Sequence, residues 1–371
     1  MTSEIDQRWM QYALEIARRG QGAVEPNPMV GCVIAVDNQL IAEGWHEQFG
    51  QAHAEVNALA KTGEADLSEA TLYVTLEPCA HHGKTPPCSQ TVIASGIKRV
   101  VIAMQDPFPQ VDGQGITQMR EAGIEVITGI AQQQAEILNA PYIKLQTEQR
   151  PWVIGKWAMT LDGKIATHAG SSQWISNEKS RAVVHQIRGR VDAVIVGHQT
   201  ALADNPKLDA RPSGPRNATR IVVARNPAID LGSHLVTTAD RLPVVVTAGP
   251  DADASYLDEL RKHSVEILRF DHPEKILSEL LRELGRRDFT NVLIEGGAGL
   301  LGTCMDQNLI DEAHIFIAPK IVGGSSAPSP VGGVGLENME DAIELNNQHV
   351  EMIDGDIYIS GIVRRDILPN V

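Results

Sequence analysis

His53-Ala54-Glu55-Val56-Asn57-Ala58-Leu59, followed after a β-branched run by Glu77-Pro78-Cys79 and then by Cys88, is the stretch that decides the fold. One imidazole and two thiolates make a soft three-ligand set, and three protein ligands on Zn²⁺ leave the fourth tetrahedral position to water, as in catalytic rather than structural sites. Glu55 stands two residues beyond His53 at the start of a helix. There it reaches the water without ligating the metal and can shuttle protons to a leaving amine.

Taken singly, each thiol also reads as a small buried hydrophobe and His53 as a helix cap. His81 or His82, between the two cysteines, offers a fourth ligand for a closed structural site. The joint pattern of His-x-Glu and Pro-Cys, with a helix and a strand between, favours the open site of zinc deaminases. The common signature spaces its cysteines as Pro-Cys-x-x-Cys, whereas here Ala80 to Pro87 intervene. In that longer loop Gly83-Lys84 offers a cation and flexible amides for a phosphate, although Lys84 reads equally as a solvated surface lysine. Cys32, in an apolar strand, and Cys304, in a helix, read as core.

Outward from this motif, periodicity sets the organisation. Ser3-Glu4-Ile5-Asp6 resembles a capping box before a helix carrying Trp9, Met10, Ala13, Leu14, Ile16 and Ala17. Residues 30–36 and 40–43 read as a hairpin; 52–61, 89–95 and 116–122 as helices; 71–75, 99–103 and 124–127 as strands; and 131–148 as one closing helix. Strands alternating with helices predict an α/β sandwich on a largely parallel sheet. Arg150-Pro151 breaks the closing helix, which predicts two domains, 1–149 and 150–371. In the second, strands are expected at 193–196, 220–224, 244–247, 265–268, 291–294 and 313–317 after one from Trp152. Helices are expected at 177–188, 254–262, 273–284 and 300–307, and no internal repeat is evident.

A chain of 371 residues supports two domains. The formal charge of −15 and 4% aromatic content disfavour nucleic acid and anionic membranes as partners. An acidic opening segment, no apolar run of membrane-spanning length and only four cysteines predict a cytoplasmic protein with reduced thiols.

In the second half, the strand at 291–294 runs into Glu295-Gly296-Gly297-Ala298-Gly299 and a helix, a turn at which backbone amides can receive a pyrophosphate. Its spacing and late position differ from the Rossmann fingerprint, and a tight structural turn is the alternative. Lys156 to Lys164, Ser171 to Ser176 and Val196 to Pro206 also place polar residues beyond strand ends, where open α/β sheets bind ligands.

Glu25-Pro26-Asn27-Pro28-Met29-Val30-Gly31, the His53 motif and Glu77 to Cys88 together resemble the deaminase half of the bacterial bifunctional riboflavin-biosynthesis deaminase/reductases. The three ligand-like stretches of the second half and Ile294-Glu295-Gly296-Gly297 resemble the reductase half. The resemblance spans nearly the whole chain. It implies a cytidine-deaminase-like α/β/α sandwich followed by a dihydrofolate-reductase-like α/β domain. It further implies Zn²⁺ on His53, Cys79 and Cys88, Glu55 as proton shuttle, Asn27 on the pyrimidine, and His81, Lys84 and Asp106 facing a ribose phosphate. In the second domain it implies NADPH against Ala158, Trp174, Thr200, Asp204 and the turn Gly297, Ala298, Gly299, Leu300, Leu301, Gly302 and Thr303. Substrate would meet Ser172, Arg188, Leu208, Arg211 and Glu295, the two arginines acting as phosphate forks. Arg225, just past a strand, is assigned to the NADP 2′-phosphate. The resemblance also implies a small phosphorylated pyrimidine as substrate and a homodimer or homotetramer joined through the second domain. Two positions depart from the family: Phe108 replaces the Asn of Asp-Pro-Asn-Pro, and Asp209 stands where Thr is usual. The competing readings are a base deaminase with a cofactor-free second domain and a binding protein without turnover, which zinc content and nicotinamide binding would separate.

Overall fold

The computed structural model describes residues 4–80, 87–109 and 111–363. The chain divides into two compact units, Met1–Gln149 and Arg150–Val371. Ser3 of the expected capping box lies outside the described residues.

In the first unit α1 (Glu4–Ala17) precedes the hairpin β1 (Gly31–Val36) and β2 (Gln39–Trp45). Then come α2 (Ala54–Leu59), β3 (Thr71–Leu76), α3 (Cys88–Ala94), β4 (Arg99–Met104), α4 (Gln114–Glu121), β5 (Glu125–Thr128), α5 (Gln132–Leu138) and α6 (Ala140–Glu148). The sheet order is β2-β1-β3-β4-β5. Alternation along the strands makes two cores. Cys32, Ile34, Leu72, Val74, Val100 and Ile102 face α2, α3 and α4, and Val33, Ala35, Tyr73, Val101 and Ala103 face α1 and α5. Side chains of period two thus cover both faces of one sheet, the basis of a three-layer sandwich.

Two expectations for this unit need correction. The sheet is mixed, because β1 runs antiparallel to both β2 and β3 and only the β3–β4 and β4–β5 pairs are parallel. The closing segment is two helices, broken at Asn139: Pro141 opens the second one, and the Asn139 side chain is drawn away to the backbone of Met29. Gly31 allows the closest approach of layers, since a Cβ there would lie 2.0 Å from the Ala13 carbonyl oxygen.

The second unit comprises β6 (Trp152–Thr160), α7 (Glu178–Arg188), β7 (Ala193–Gly197), α8 (His198–Asp204), β8 (Thr219–Val223), α9 (His234–Thr237), β9 (Val244–Ala248) and α10 (Ala254–Lys262). It continues with β10 (Val265–Arg269), α11 (Ile276–Arg286), β11 (Asn291–Ile294), α12 (Ala298–Asp306), β12 (Glu312–Ala318), β13 (Leu345–Ile353) and β14 (Asp356–Val363). Its nine strands run β10-β9-β8-β7-β11-β6-β12-β14-β13, parallel as far as β12 and antiparallel for the last two pairs. Val194, Val196, Val222 and Leu293 pack on one face with Leu257 and Leu260. Ile195, Ile221, Val292 and Ile294 pack on the other with α11 and α12.

The β13–β14 hairpin is absent from the sequence expectation. Seven successive residues of β13 are exposed, so it lacks the alternation that marks a half-buried strand. The short helices α8 and α9 were likewise not anticipated, and α12 begins two residues earlier than expected. Cys32 and Cys304 are fully buried in apolar clusters, as expected.

Candidate active sites

The sheet of the first unit brings its metal-ligating side chains together at strand and helix ends. His53 is the N-cap of α2, Cys79 follows the end of β3, and Cys88 opens α3. The three ligand atoms lie within 4.8 Å of one another. His53 Nδ1 is 3.2 Å from Cys88 Sγ and 3.7 Å from Cys79 Sγ. Zinc bonds of about 2.0 Å to nitrogen and 2.3 Å to sulfur at the tetrahedral angle put N and S about 3.6 Å apart, so the trio fits the ion. The Cys88 N–H donates to Cys79 Sγ at 3.3 Å. The thiols are polarised oppositely: the hydrogen bond between them lowers Cys79, aided by His53, and raises Cys88, aided by burial. Glu55, 3% exposed in the first turn of α2, faces Cys88. Burial pushes its carboxyl up to about 7, against the opposing pull of His53, a range in which a carboxyl both takes and returns protons.

Asn27 lies beside this trio through a residue that the sequence reading did not single out. His46 Nδ1 donates to the Ala52 carbonyl at 3.1 Å, and its ring meets that of His53 edge-on at 5.2 Å. Burial lowers its pKa and keeps it neutral, so Nε2 is an acceptor and receives the Asn27 Nδ2–H at 3.1 Å. The Asn27 carbonyl oxygen is thereby left to present to a ligand. Asn139, 1% exposed, accepts from Met29 N at 2.8 Å and donates to Met29 O at 3.0 Å, pinning the backbone two residues further on.

Asp106 is buried, which raises its carboxyl. The same oxygen accepts from Phe108 N and from Tyr142 OH, each at 2.9 Å. Its loop is anchored by Glu77, another residue without an assigned role in the sequence reading. Glu77 accepts from Asp106 N at 3.2 Å, Gly113 N at 3.0 Å and Ile116 N at 3.1 Å. A carboxylate two residues before Cys79 therefore fixes both the segment holding Asp106 and the start of α4. His81 and Lys84 lie outside the described residues.

The second site lies at the carboxyl ends of β6, β7 and β11. Arg188 Nε and Nη2 grip the Glu295 carboxylate at 2.6 and 2.9 Å, and Nη1 donates to Asp209 O at 3.2 Å. Burial alone would raise Glu295; Arg188 and then Lys156 hold it below the ordinary carboxylate range. Arg188 is therefore not an unengaged fork: three of its five N–H donors are committed within the protein. Arg211 Nε pairs with the Asp209 carboxylate at 3.2 Å, so the acid at this position competes for the second guanidinium. Leu208 is buried with φ +56. Ser172 is half-buried, and Arg225 pairs with Asp251 at 3.1 Å in the open.

Around the expected cofactor turn, a Cβ on Gly297 would lie 3.4 Å from Thr200 Oγ1, so the starts of α8 and α12 meet there. Ala158 lies near the end of β6 beside Phe316 of β12. Trp174 is 63% exposed with the Arg181 guanidinium 4.5 Å from its ring centroid, and Asp204 is exposed at the end of α8. The turn is not uniformly available. Leu301 is fully buried in the core, and a Cβ on Gly302 would collide with Gly332 at 2.3 Å, so these two positions face protein.

A family model described as the cytidine and deoxycytidylate deaminase zinc-binding region matches residues 3–104, and one described as the RibD C-terminal domain matches residues 151–359. The riboflavin biosynthesis protein RibD of Actinobacillus pleuropneumoniae is 40% identical over 96% of this chain and 95% of its own length. That of Aquifex aeolicus is 37% identical over 97% of this chain and 99% of its own. Among solved structures, RibD of Acinetobacter baumannii superposes with a TM-score of 0.84 at 36% identity, covering 98% of this chain and 99% of that one. A diaminohydroxyphosphoribosylaminopyrimidine deaminase/5-amino-6-(5-phosphoribosylamino)uracil reductase from Thermotoga maritima gives 0.83 at 36% identity, covering 97% and 99%.

Proposed function

Because the chain belongs to the RibD family, we propose that its two sites catalyse two consecutive steps with the residues assigned below. The protein is a bifunctional enzyme of riboflavin biosynthesis, a zinc-dependent deaminase and an NADPH-dependent reductase. The first reaction hydrolyses the 2-amino group of 2,5-diamino-6-(5-phosphoribosylamino)pyrimidin-4(3H)-one, and the second reduces the ribosyl group of the resulting uracil to ribityl.

In the first site His53, Cys79 and Cys88 would hold the zinc. Bound there, zinc supplies a Lewis acid beside which water becomes nucleophilic near neutral pH. Glu55 takes a proton from the attacking water, passes it to the ring nitrogen, and delivers the next to the departing ammonia, so that amine and water become carbonyl and ammonia. Asn27, oriented by His46, offers its carbonyl oxygen to an N–H of the pyrimidine. We assign Asp106, together with His81 and Lys84 outside the described residues, to the ribose phosphate. The carrying observation is the convergence of the three ligand atoms within 4.8 Å beside a buried carboxyl.

In the second site NADPH supplies the hydride, and the chain binds and orients. Ala158, Trp174, Thr200, Asp204 and the backbone of the Gly297 turn would line the dinucleotide, with Arg225 at its 2′-phosphate. Ser172, Leu208, Arg211 and the Arg188–Glu295 pair would line the sugar phosphate, whose C1 receives the hydride after ring opening to an imine. Homo-oligomerisation through this unit is supported by β13, an exposed edge strand carrying Val350 and Met352. Among the described residues no helix is long and apolar enough to cross a membrane, and we place the enzyme in the cytoplasm. Metal analysis with separate half-reactions tests the assignment. One zinc per chain is expected, and a chelator should abolish deamination of the diaminopyrimidine while sparing reduction of the uracil. Equal loss of both activities would contradict it.

A further inference from the structure

We infer that Lys320 is a positioning residue for the cofactor, holding the backbone at Trp174 in place as one wall of the dinucleotide site. The inference rests on the cofactor reading of Trp174 given above. Lys320 Nζ donates to two successive carbonyls, Trp174 O at 2.7 Å and Ile175 O at 2.8 Å. Charge-assisted bonds to both fix the direction of the peptide that carries the indole.

The anchor behind Lys320 is rigid. Its own carbonyl accepts from Leu161 N at 2.8 Å, just past the end of β6. Asp162 then accepts from Val322 N at 3.2 Å, Gly323 N at 2.7 Å and Thr160 Oγ1 at 2.6 Å. β6 and β12 are paired neighbours up to Thr160 and Ala318, so the segments leaving both strands are sewn together before Lys320 reaches across to residues 174–175. Arg181 in turn stacks on the indole at 4.5 Å and donates to Ser176 O at 2.6 Å. An aromatic ring 63% exposed is thus held by two cations through its backbone and its face, an arrangement that leaves the opposite face for a flat ligand to stack on.

Lys320 is exposed and its two acceptors lie at the surface, so water can replace the ammonium with little loss of fold stability. What is lost is the preset position of the wall. The test compares Lys320→Met, Lys320→Arg and Trp174→Ala in the full-length, zinc-loaded enzyme. It reads NADPH KM, NADPH Kd, reductase kcat, thermal midpoint and, as internal control, deaminase activity. Lys320→Met is expected to raise NADPH KM and Kd about fivefold to tenfold, the worth of about one net hydrogen bond of lost preorganisation. Its kcat, thermal midpoint and deaminase activity should be little changed, and Lys320→Arg should recover most of the affinity. An unchanged NADPH KM in Lys320→Met while Trp174→Ala raises it would overturn the positioning role alone. Unchanged NADPH affinity in Trp174→Ala would overturn the cofactor reading beneath it. A parallel fall of kcat, thermal midpoint and affinity in Lys320→Met would make the residue a general support of the fold and equally overturn the inference.

Discussion

Glu77→Gln changes one buried atom and should unfasten half of the deaminase site. The carboxylate is 3% exposed and serves three backbone donors, two on Oε2 and one on Oε1. A glutamine of the same shape can keep its oxygen toward Asp106 N and Gly113 N, but its NH₂ then opposes Ile116 N. One charge-assisted bond is lost, about 1.5–3 kcal/mol, and a buried N–H is left without an acceptor, about 1–3 kcal/mol more. We take about 3 kcal/mol for the first unit. With a urea dependence of about 2 kcal/mol per molar, the midpoint of that unit should fall by roughly 1.5 M. The assay follows deaminase and reductase activity of one sample along a urea series. The deaminase curve should shift by that amount and the reductase curve should not. A deaminase midpoint within about 0.3 M of wild type would refute the role of Glu77 as a three-donor anchor.

Glu55→Gln should retain zinc and reductase activity while deamination falls about 10²- to 10⁴-fold, read by metal analysis and ammonia release; retained deamination would remove Glu55 from proton transfer. Asp209→Thr frees Arg211 from its ion pair, so the reductase KM for the phosphorylated substrate should fall with little change in kcat, and the effect should vanish with a dephosphorylated analogue. Arg188→Met leaves Glu295 buried without its main partner, and breaking such a pair costs about 3–5 kcal/mol at pH 7. The sign follows from Glu295. In the native protein its pKa is depressed, so its contribution is present above the ordinary carboxylate value of about 4.3 and is lost as pH falls through the depressed value. In the variant, where burial raises it, the penalty should grow as pH rises past that value and shrink toward pH 4, measured as urea stability of the second unit against pH. An equal loss at pH 4 and pH 7 would contradict the assignment.

The zinc trio was legible because its chemistry is local: each ligand sits in a short motif, and the elements between follow a period of two or 3.6. The two-faced cores were legible for the same reason, as in Val100-Val101-Ile102-Ala103, whose residues alternate between faces. What stayed hidden depends on bonds between distant parts of the chain. Asn139 meets Met29 across 110 positions, and that bond accompanies the break between α5 and α6. Glu77 reaches residues 29 to 39 positions away, and the tautomer of His46 depends on Ala52 and Asn27 together. Arg188 and Glu295 each read as substrate contacts, but their mutual grip across 107 positions has no sequence signal. β13 was missed because both its faces are wet, so hydrophobic alternation had nothing to report.

The most direct test of the central claim is a mass-spectrometric product assay of the zinc-loaded protein with the diaminopyrimidine ribosyl phosphate, with and without NADPH. Without NADPH the account predicts exchange of one amino group for oxygen and nothing further. With NADPH it predicts the same exchange followed by a gain of two hydrogens. A two-hydrogen gain without prior deamination, or deamination that never leads to an NADPH-dependent gain, would contradict the assignment of two consecutive steps to this one chain.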